Sequence, residues 1–422
     1  MVSRNRLCVL IISSVFPPEP VVSSQTSAQI AEKMAELGHQ VKVLAPFPSR
    51  PMGQMYPQYK RGLLQSETCP QGYEIVRCFS FFSSVSSLLS RFLENISFGL
   101  SVFFILLFSP RADIVYGNTW PIFAQGLLML ACKIRRMPLV LSVQDLYPES
   151  LFVQNRMGKG AVWLYRFLRW LDILIARNCQ SLIVISEQFK KIYVQDREIQ
   201  VEKIHVIPNW IDRDQIPVDP QNYSIRQQHN IPKDAFLVVY GGNIGVAAGV
   251  DDVIRAFQRL LDKENIYLLI AGDGSMLPEC QRLVNENNLT RVKFHSLWPA
   301  QETFSLLKAA DLLILPTRGE QAIVSVPSKL LSYMLSGCCI LATAPIDSEI
   351  ARIISSSGAG WVISTNDIGA LANCISEISR LSLDERGSRG QAGHNFVLKH
   401  FSKSTNVKKV VEILEQMGDQ RG

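Results

Sequence analysis

No two cysteines in this chain stand in a C-x-x-C pair, and none has metal-ligand spacing to a histidine. The nine thiols are scattered, with Cys338 and Cys339 adjacent inside an apolar run. That excludes a disulfide framework and points to a reducing compartment. Local signatures of several enzyme classes are missing as well: no G-x-x-x-x-G-K-[ST] loop, no G-x-S-x-G elbow and no H-E-x-x-H pair. Repeats and low-complexity stretches are absent. So are zinc-finger spacing and a groove of interleaved basic and aromatic residues, so nucleic acid is not an expected partner. The apolar run at residues 7–12 follows Arg4 and Arg6 but leads into a proline-rich loop, so it does not read as a secretory leader. Charge is thin, at 19% of residues against 47% apolar, the balance of a globular α/β protein.

What is present is alternation. A chain of 422 residues implies two or three domains. Buried strands are expected at 7–12, 41–45, 113–117, 139–143, 182–185 and 204–207. A second series follows at 236–240, 266–271, 292–295, 312–315, 339–343 and 361–363. Helical segments lie between, including 26–37 and 250–261, the first stopped by Gly38. Strand–helix–strand repetition of this kind builds doubly wound parallel sheets. The predicted organisation is a first domain over 1–212, a polar, proline-punctuated linker over 213–232, a second domain over 233–394, and a tail over 395–422 that is helical from 395 to 417.

The net charge of +6 is unevenly spread. Residues 1–215 hold 23 Lys and Arg against 16 Asp and Glu, while the remainder holds 20 against 21. An anionic partner is therefore expected for the first half alone. Residues 98–108 are almost wholly apolar, and the stretch back to Phe92 includes Glu94 and Asn95. A spanning helix needs about 20 apolar residues, so this segment is read either as a core helix or as one dipping into a membrane surface. Residues 161–176 mix Trp, Leu and Phe with Arg166 and Arg169, near Arg156, Lys159 and Arg177, which suits the same lipid interface or core packing. Together they make an anionic membrane surface an expected partner, with peripheral attachment to the inner face of the plasma membrane.

Three loops of the second series carry chemistry. Gly242, Asn243 and Gly245 follow one strand, Gly272, Asp273 and Gly274 follow the next, and a loop with Arg318 and Glu320 follows the strand at 312–315. Glycines let a backbone approach a ligand and aim N–H groups at it. A helix opening at Pro327-Ser328 places Lys329 in its first turn. Loops after parallel strands open on one sheet edge, so these three describe a site for a nucleotide diphosphate, with Arg318 and Lys329 as its cations. In the first series Asp145 follows the strand at 139–143, with Tyr147 and Glu149 nearby; it could orient a sugar hydroxyl or stabilise positive charge, or simply cap the next helix. Asp212-Arg-Asp214 has D-x-D spacing but sits at the linker, and no metal site is expected.

The chain resembles glycosyltransferase family 4, with its two-domain GT-B fold. The matching motifs are Phe16-Pro-Pro-Glu19, Leu37-Gly-His-Gln-Val41, Val143-Gln-Asp-Leu-Tyr-Pro-Glu-Ser150, Ile207-Pro-Asn-Trp-Ile-Asp212, Gly242-Asn-Ile-Gly245, Ala271-Gly-Asp-Gly274 and Pro327-Ser-Lys-Leu330. Two of these resemble the bacterial polysaccharide branch, which includes O-antigen, capsule and colanic-acid enzymes. The resemblance implies two Rossmann-like domains facing across a cleft, the first binding the acceptor and the second the donor. It implies metal-independent transfer with retention at the anomeric carbon, from a UDP- or GDP-sugar and without a cofactor, to a lipid-linked saccharide or polysaccharide. The last helix crosses back to the first domain in this family. Asp145, Lys329, Arg318 and Glu320 are the catalytic candidates. The donor is expected against Gly242, Asn243, Gly245, Gly272, Asp273, Gly274, Pro327, Ser328 and Ser332. The chain departs from the usual pattern at Val21-Val22 for a glycine pair, Gln144 for a histidine, Asn243 and Ala248 for an Arg and a Lys, and Val324 and Ser332 for two glutamates. A rival reading is a non-catalytic partner subunit of the same fold with a degraded donor site, and a weaker one is a nucleotide-sugar epimerase.

Overall fold

A computed structural model describes the chain apart from residues 1–5, 20–21, 51–52, 61, 84–87, 119–121, 150–161, 212–224, 261–264, 296–301, 319–327, 366 and 420–422. The chain divides into two compact units, Met1–Trp210 with Ser404–Gly422, and Ile211–Lys403.

Among the described residues the first unit is built on eight strands: β1 Cys8–Ser13, β2 Gln40–Pro46, β3 Leu64–Thr68, β4 Glu74–Cys78, β5 Ile114–Asn118, β6 Leu139–Val143, β7 Ser181–Val184 and β8 Ile204–Val206. Their order is β3-β4-β2-β1-β5-β6-β7-β8, parallel except for β3 against β4. The apolar runs sit at the centre, where both sheet faces are covered and every residue of β5 and β6 is buried. The β3–β4 hairpin was not predicted. Its charged residues Glu67, Glu74 and Arg77 interrupt the apolar signal, and β3 lies at the sheet edge with alternate residues exposed. Helices α1 Val22–Glu36, α2 Leu88–Phe108, α3 Ile122–Arg135, α4 Val162–Asn178 and α5 Glu187–Gln195 connect the strands.

Among the described residues the second unit has six strands: β9 Phe236–Gly241, β10 Ile266–Ala271, β11 Val292–His295, β12 Leu312–Pro316, β13 Ile340–Thr343 and β14 Gly360–Ile363. All pair in parallel, in the order β11-β10-β9-β12-β13-β14. This is the 3-2-1-4-5-6 order of dinucleotide-binding sheets, with its switch point between β9 and β12. The helices are α6 Ile225–Gln228, α7 Val250–Gln258, α8 Leu277–Glu286, α9 Thr303–Lys308, α10 Ser328–Ser336, α11 Glu349–Ser357, α12 Ile368–Ser379 and α13 Leu383–His400. Core clusters cover both sheet faces.

Two predicted boundaries are corrected. Residues 213–224 lie outside the described residues, but the rest of the expected linker is structured: α6 puts Ile225, with Ile231 beyond it, into the second unit's core. The tail is not one helix from 395. α13 belongs to the second unit and ends at His400, and α14, Lys403–Asp419, packs in the first unit. There Val407, Val410 and Leu414 join the core beside β1, and Glu415 meets His39 at 3.2 Å. A Cβ at Gly418 would lie 2.8 Å from Leu7 Cδ1, so α14 packs closely on the residue that leads into β1.

Candidate functional site

The β9 and β10 loops interlock through their backbones. Gly242 N–H donates to the Ala271 carbonyl at 2.9 Å, Ile244 N–H to Asp273 at 2.8 Å, and Met276 N–H to Ile244 at 2.9 Å. Gly242, Gly272 and Gly274 have φ of +144°, +138° and +156°, a region that favours glycine. A Cβ at Gly272 would fall 2.0 Å from the Gly242 carbonyl oxygen, and one at Gly274 would fall 2.4 Å from that of Ile244. These glycines therefore serve first to let two loops meet. Gly245 caps a short 3-10 turn, Val246–Ala248. Asn243 and Asp273 are exposed, and Asp273 Oδ1 accepts from Gly274 N–H at 2.7 Å.

Lys329 lies in the first turn of α10 and reaches across to β9. Its Nζ donates to Tyr240 Oη at 2.5 Å and to the Asn243 carbonyl at 3.2 Å, and sits 4.6 Å from the centre of the Tyr240 ring. A Cβ at Gly242 would stand 2.2 Å from Lys329 Cε, so that glycine makes room for the lysine stem. No carboxylate pairs with Lys329 among the described residues. Burial pulls its amine down to about 8. Tyr333, one helical turn further on and thus on the same face of α10, brackets Gly241. Its hydroxyl accepts from Gly241 N–H at 2.8 Å and donates to the Gly241 carbonyl at 3.1 Å. Sequence reasoning missed Tyr240 and Tyr333. Both were findable: one immediately precedes the glycine loop, and the other follows Lys329 by four.

Arg318 is placed differently from expectation. Its guanidinium meets Asp251 at 3.0 Å and makes a closer contact with Asp252, while Arg255 holds the same two carboxylates at 2.7 and 3.0 Å. Two acids and two bases make a neutral quartet. Burial opposes ionisation of Asp251, but Arg318 and Arg255 outweigh it and hold its carboxyl below the usual range. Arg318 is therefore compensated, and the role of a second free cation passes from it. Glu320 and Pro327 lie outside the described residues, as do Val324 and the side chain of Ser328. Ser332 is half-buried in α10.

In the first unit, Asp145 follows β6 with its side chain exposed and no partner among the described residues; crowding by protein still raises its carboxyl pKa, through desolvation. Its neighbours are structural. Arg197, fully buried, donates to Asp172 at 2.5 Å, to Glu149 at 2.7 Å and to the Tyr147 carbonyl at 2.9 Å. Tyr193 completes the set with a 2.8 Å hydrogen bond to Asp172. Glu149 thus anchors its loop, and the expected cluster of three reduces to Asp145. Gln144 is pinned at both ends of its amide, to Ser142 Oγ and by Asn209 Nδ2, each at 2.9 Å. The Pro-Pro-Glu motif is also a brace: Glu19 accepts Ser49 and Arg50 N–H at 2.8 and 2.9 Å, and Arg77 donates to the Pro17 carbonyl at 2.5 Å.

Residues 24–215 match the family model described as Glycosyltransferase Family 4, and residues 235–380 match Glycosyl transferases group 1. The chain is 29% identical over 320 residues to the probable glycosyltransferase WbjE of Pseudomonas aeruginosa, covering 74% of this chain and 77% of that one. It is 24% identical over 421 residues to the putative colanic acid biosynthesis glycosyl transferase WcaI of Escherichia coli strain K12, covering 98% and 100%. Among solved structures, Anabaena Alr3699/HepE in complex with UDP matches with a TM-score of 0.69 over 97% of this chain and 99% of that one, at 16% identity.

Proposed function

We propose, from the premise that this chain belongs to glycosyltransferase family 4, in its bacterial polysaccharide branch and with the GT-B fold, that it moves a sugar from a nucleotide diphosphate sugar to a lipid-linked or polysaccharide acceptor. The transfer is a retaining one. The bond from the anomeric carbon to the diphosphate oxygen breaks, a bond to the acceptor hydroxyl forms on the same face, and the hydroxyl proton goes to the departing phosphate. HepE binds UDP, which favours a UDP-sugar, with a GDP-sugar as the alternative.

The observation that carries this reading is the setting of Lys329. It is a cation without a carboxylate partner among the described residues, beside the switch point of the second sheet and in the first turn of α10, whose N–H groups have no partner within the helix. A diphosphate gains charge as it leaves, so a fixed cation there stabilises the transition state more than the ground state. In this reading the lysine and the amides carry the leaving-group charge, and turnover survives chelation of divalent ions. Asp145 acts on the acceptor side, orienting a hydroxyl or countering charge at the anomeric carbon. The work is done at the inner face of the plasma membrane.

A panel of UDP-, GDP- and dTDP-sugars tests the donor half. A donor bound by the folded chain alone raises the melting temperature, and loss of that shift in Lys329→Ala assigns it to this site. Turnover with a crude lipid-acceptor fraction tests the rest. A chain that binds donors but transfers nothing is a partner subunit instead.

A further inference from the structure

Lys329 reaches its place by crossing the carboxyl end of β9. Leu330, Leu331 and Tyr333 of α10 join the core on one face of the second sheet, while Tyr240 of β9 joins the core on the other. Between them the lysine stem passes over Gly242. A lysine carries a compact charge on a flexible four-carbon stem, so its length alone does not aim the ammonium. Something at the far end must.

Tyr240 is fully buried, and a buried hydroxyl needs partners. It donates to the Asn243 carbonyl at 2.5 Å and accepts from Lys329 Nζ at 2.5 Å. The same carbonyl accepts from Nζ at 3.2 Å. Hydroxyl, carbonyl and ammonium thus close a triangle of hydrogen bonds. An ammonium has three N–H donors. Two are held by these oxygens, and the third has no partner among the described residues. Anchoring two donors fixes the direction of the third. The titratable side chains that face Tyr240 are Tyr333 from α10 and Cys280 from α8. Burial pushes all three up, Cys280 to about 11, so at pH 7 they are neutral and offer Lys329 no counter-charge. Oxygen dipoles hold the amine in place.

We propose that Tyr240 is a positioning residue, whose hydroxyl, steadied by the Asn243 carbonyl, holds the Lys329 ammonium so that its remaining N–H points to the diphosphate of the donor. The inference rests on the proposed role of Lys329 and adds the group that aims it.

Tyr240→Phe tests this, because it keeps the buried ring and removes the hydroxyl. Trace acetylation of the full chain across pH, read at Lys329 by mass spectrometry, follows the amine without donor or acceptor. The wild-type midpoint is expected near 8. In Tyr240→Phe it should fall, leaving about threefold more of the amine unprotonated at pH 7, since an accepting oxygen favours the charged form. Tyr333→Phe, whose lost hydroxyl holds Gly241 rather than Lys329, should leave the midpoint where it is. In kinetics Tyr240→Phe should lower kcat about tenfold with KM nearly unchanged, and should cost nothing further in a Lys329→Ala background. An unchanged midpoint in Tyr240→Phe, an equal fall in Tyr333→Phe, or a kcat loss that adds fully to that of Lys329→Ala would each overturn the positioning role while leaving the transfer reading intact. A wild type that neither binds nor turns over a nucleotide sugar would overturn the transfer reading, and with it the target at which Tyr240 aims the lysine.

Discussion

Both sheets place a switch point beside their first strand, β1 next to β5 and β9 next to β12, and furnish it oppositely. Around the first, side chains do the holding. Ser13 Oγ and Ser27 Oγ share a 2.9 Å hydrogen bond, Asn118 Nδ2 donates to Ser27 Oγ at 2.8 Å, and buried Arg77 and Arg197 pin the flanking loops. Around the second, glycine backbones interlock and one half-buried lysine lacks a carboxylate partner among the described residues. A buried arginine with two carboxylates is a brace, since its charge is already matched. A buried lysine without one carries an unfavourable charge in the empty protein, and an incoming anion can relieve it. The comparison teaches that the same switch point can be made rigid by charge pairs or left poised by omitting one.

The largest effect should come from breaking the brace. Arg197→Ala leaves Asp172 buried without its cation and should destabilise the fold by roughly 3–5 kcal/mol, read by denaturant unfolding. A loss below about 1 kcal/mol would mean that the network is not what holds the 144–149 loop.

Lys329→Ala should do the reverse, lowering kcat/KM by on the order of 3 kcal/mol with no loss of stability. The sign follows from burial. Its folded pKa lies below the unfolded value, so the charged amine opposes folding at neutral pH, and that penalty fades as pH rises through about 8. A lowered melting temperature with near-normal turnover would make Lys329 a brace like Arg197.

The same depressed amine predicts a pH limb. In the free enzyme the ammonium is lost above pH about 8, so donor kcat/KM should fall up to tenfold per unit beyond it. A profile flat to pH 10 would remove the charged amine from the rate.

The smallest effect is expected at Arg318. Its charge is cancelled within the Asp251, Asp252, Arg255 quartet. Arg318→Gln should change turnover by less than about 1 kcal/mol, in the range of partly exposed ion pairs. A loss matching Lys329→Ala would restore it as a diphosphate cation.

The order of elements was legible because buried parallel strands are continuous apolar runs; β9, β10 and β12 are examples. The β3–β4 hairpin was not, since an edge strand alternates polar residues. The break between α13 and α14 also escaped, because both sides are helical and only packing on different cores separates them.

Sequence by itself determined the two α/β sheets, the glycine loops and Lys329 at a helix start, because periodicity and turn chemistry are local. It also held the family motifs. Tertiary structure decided which charges are free. Arg318 and Lys329 read alike along the chain, yet one meets Asp251 and Asp252, 67 and 66 residues away, and the other meets Tyr240, 89 residues away. It likewise decided that Glu149 anchors a loop and that α2 shows an apolar face outward. Pairing and burial depend on what folding brings alongside, and no window along the chain contains that neighbour.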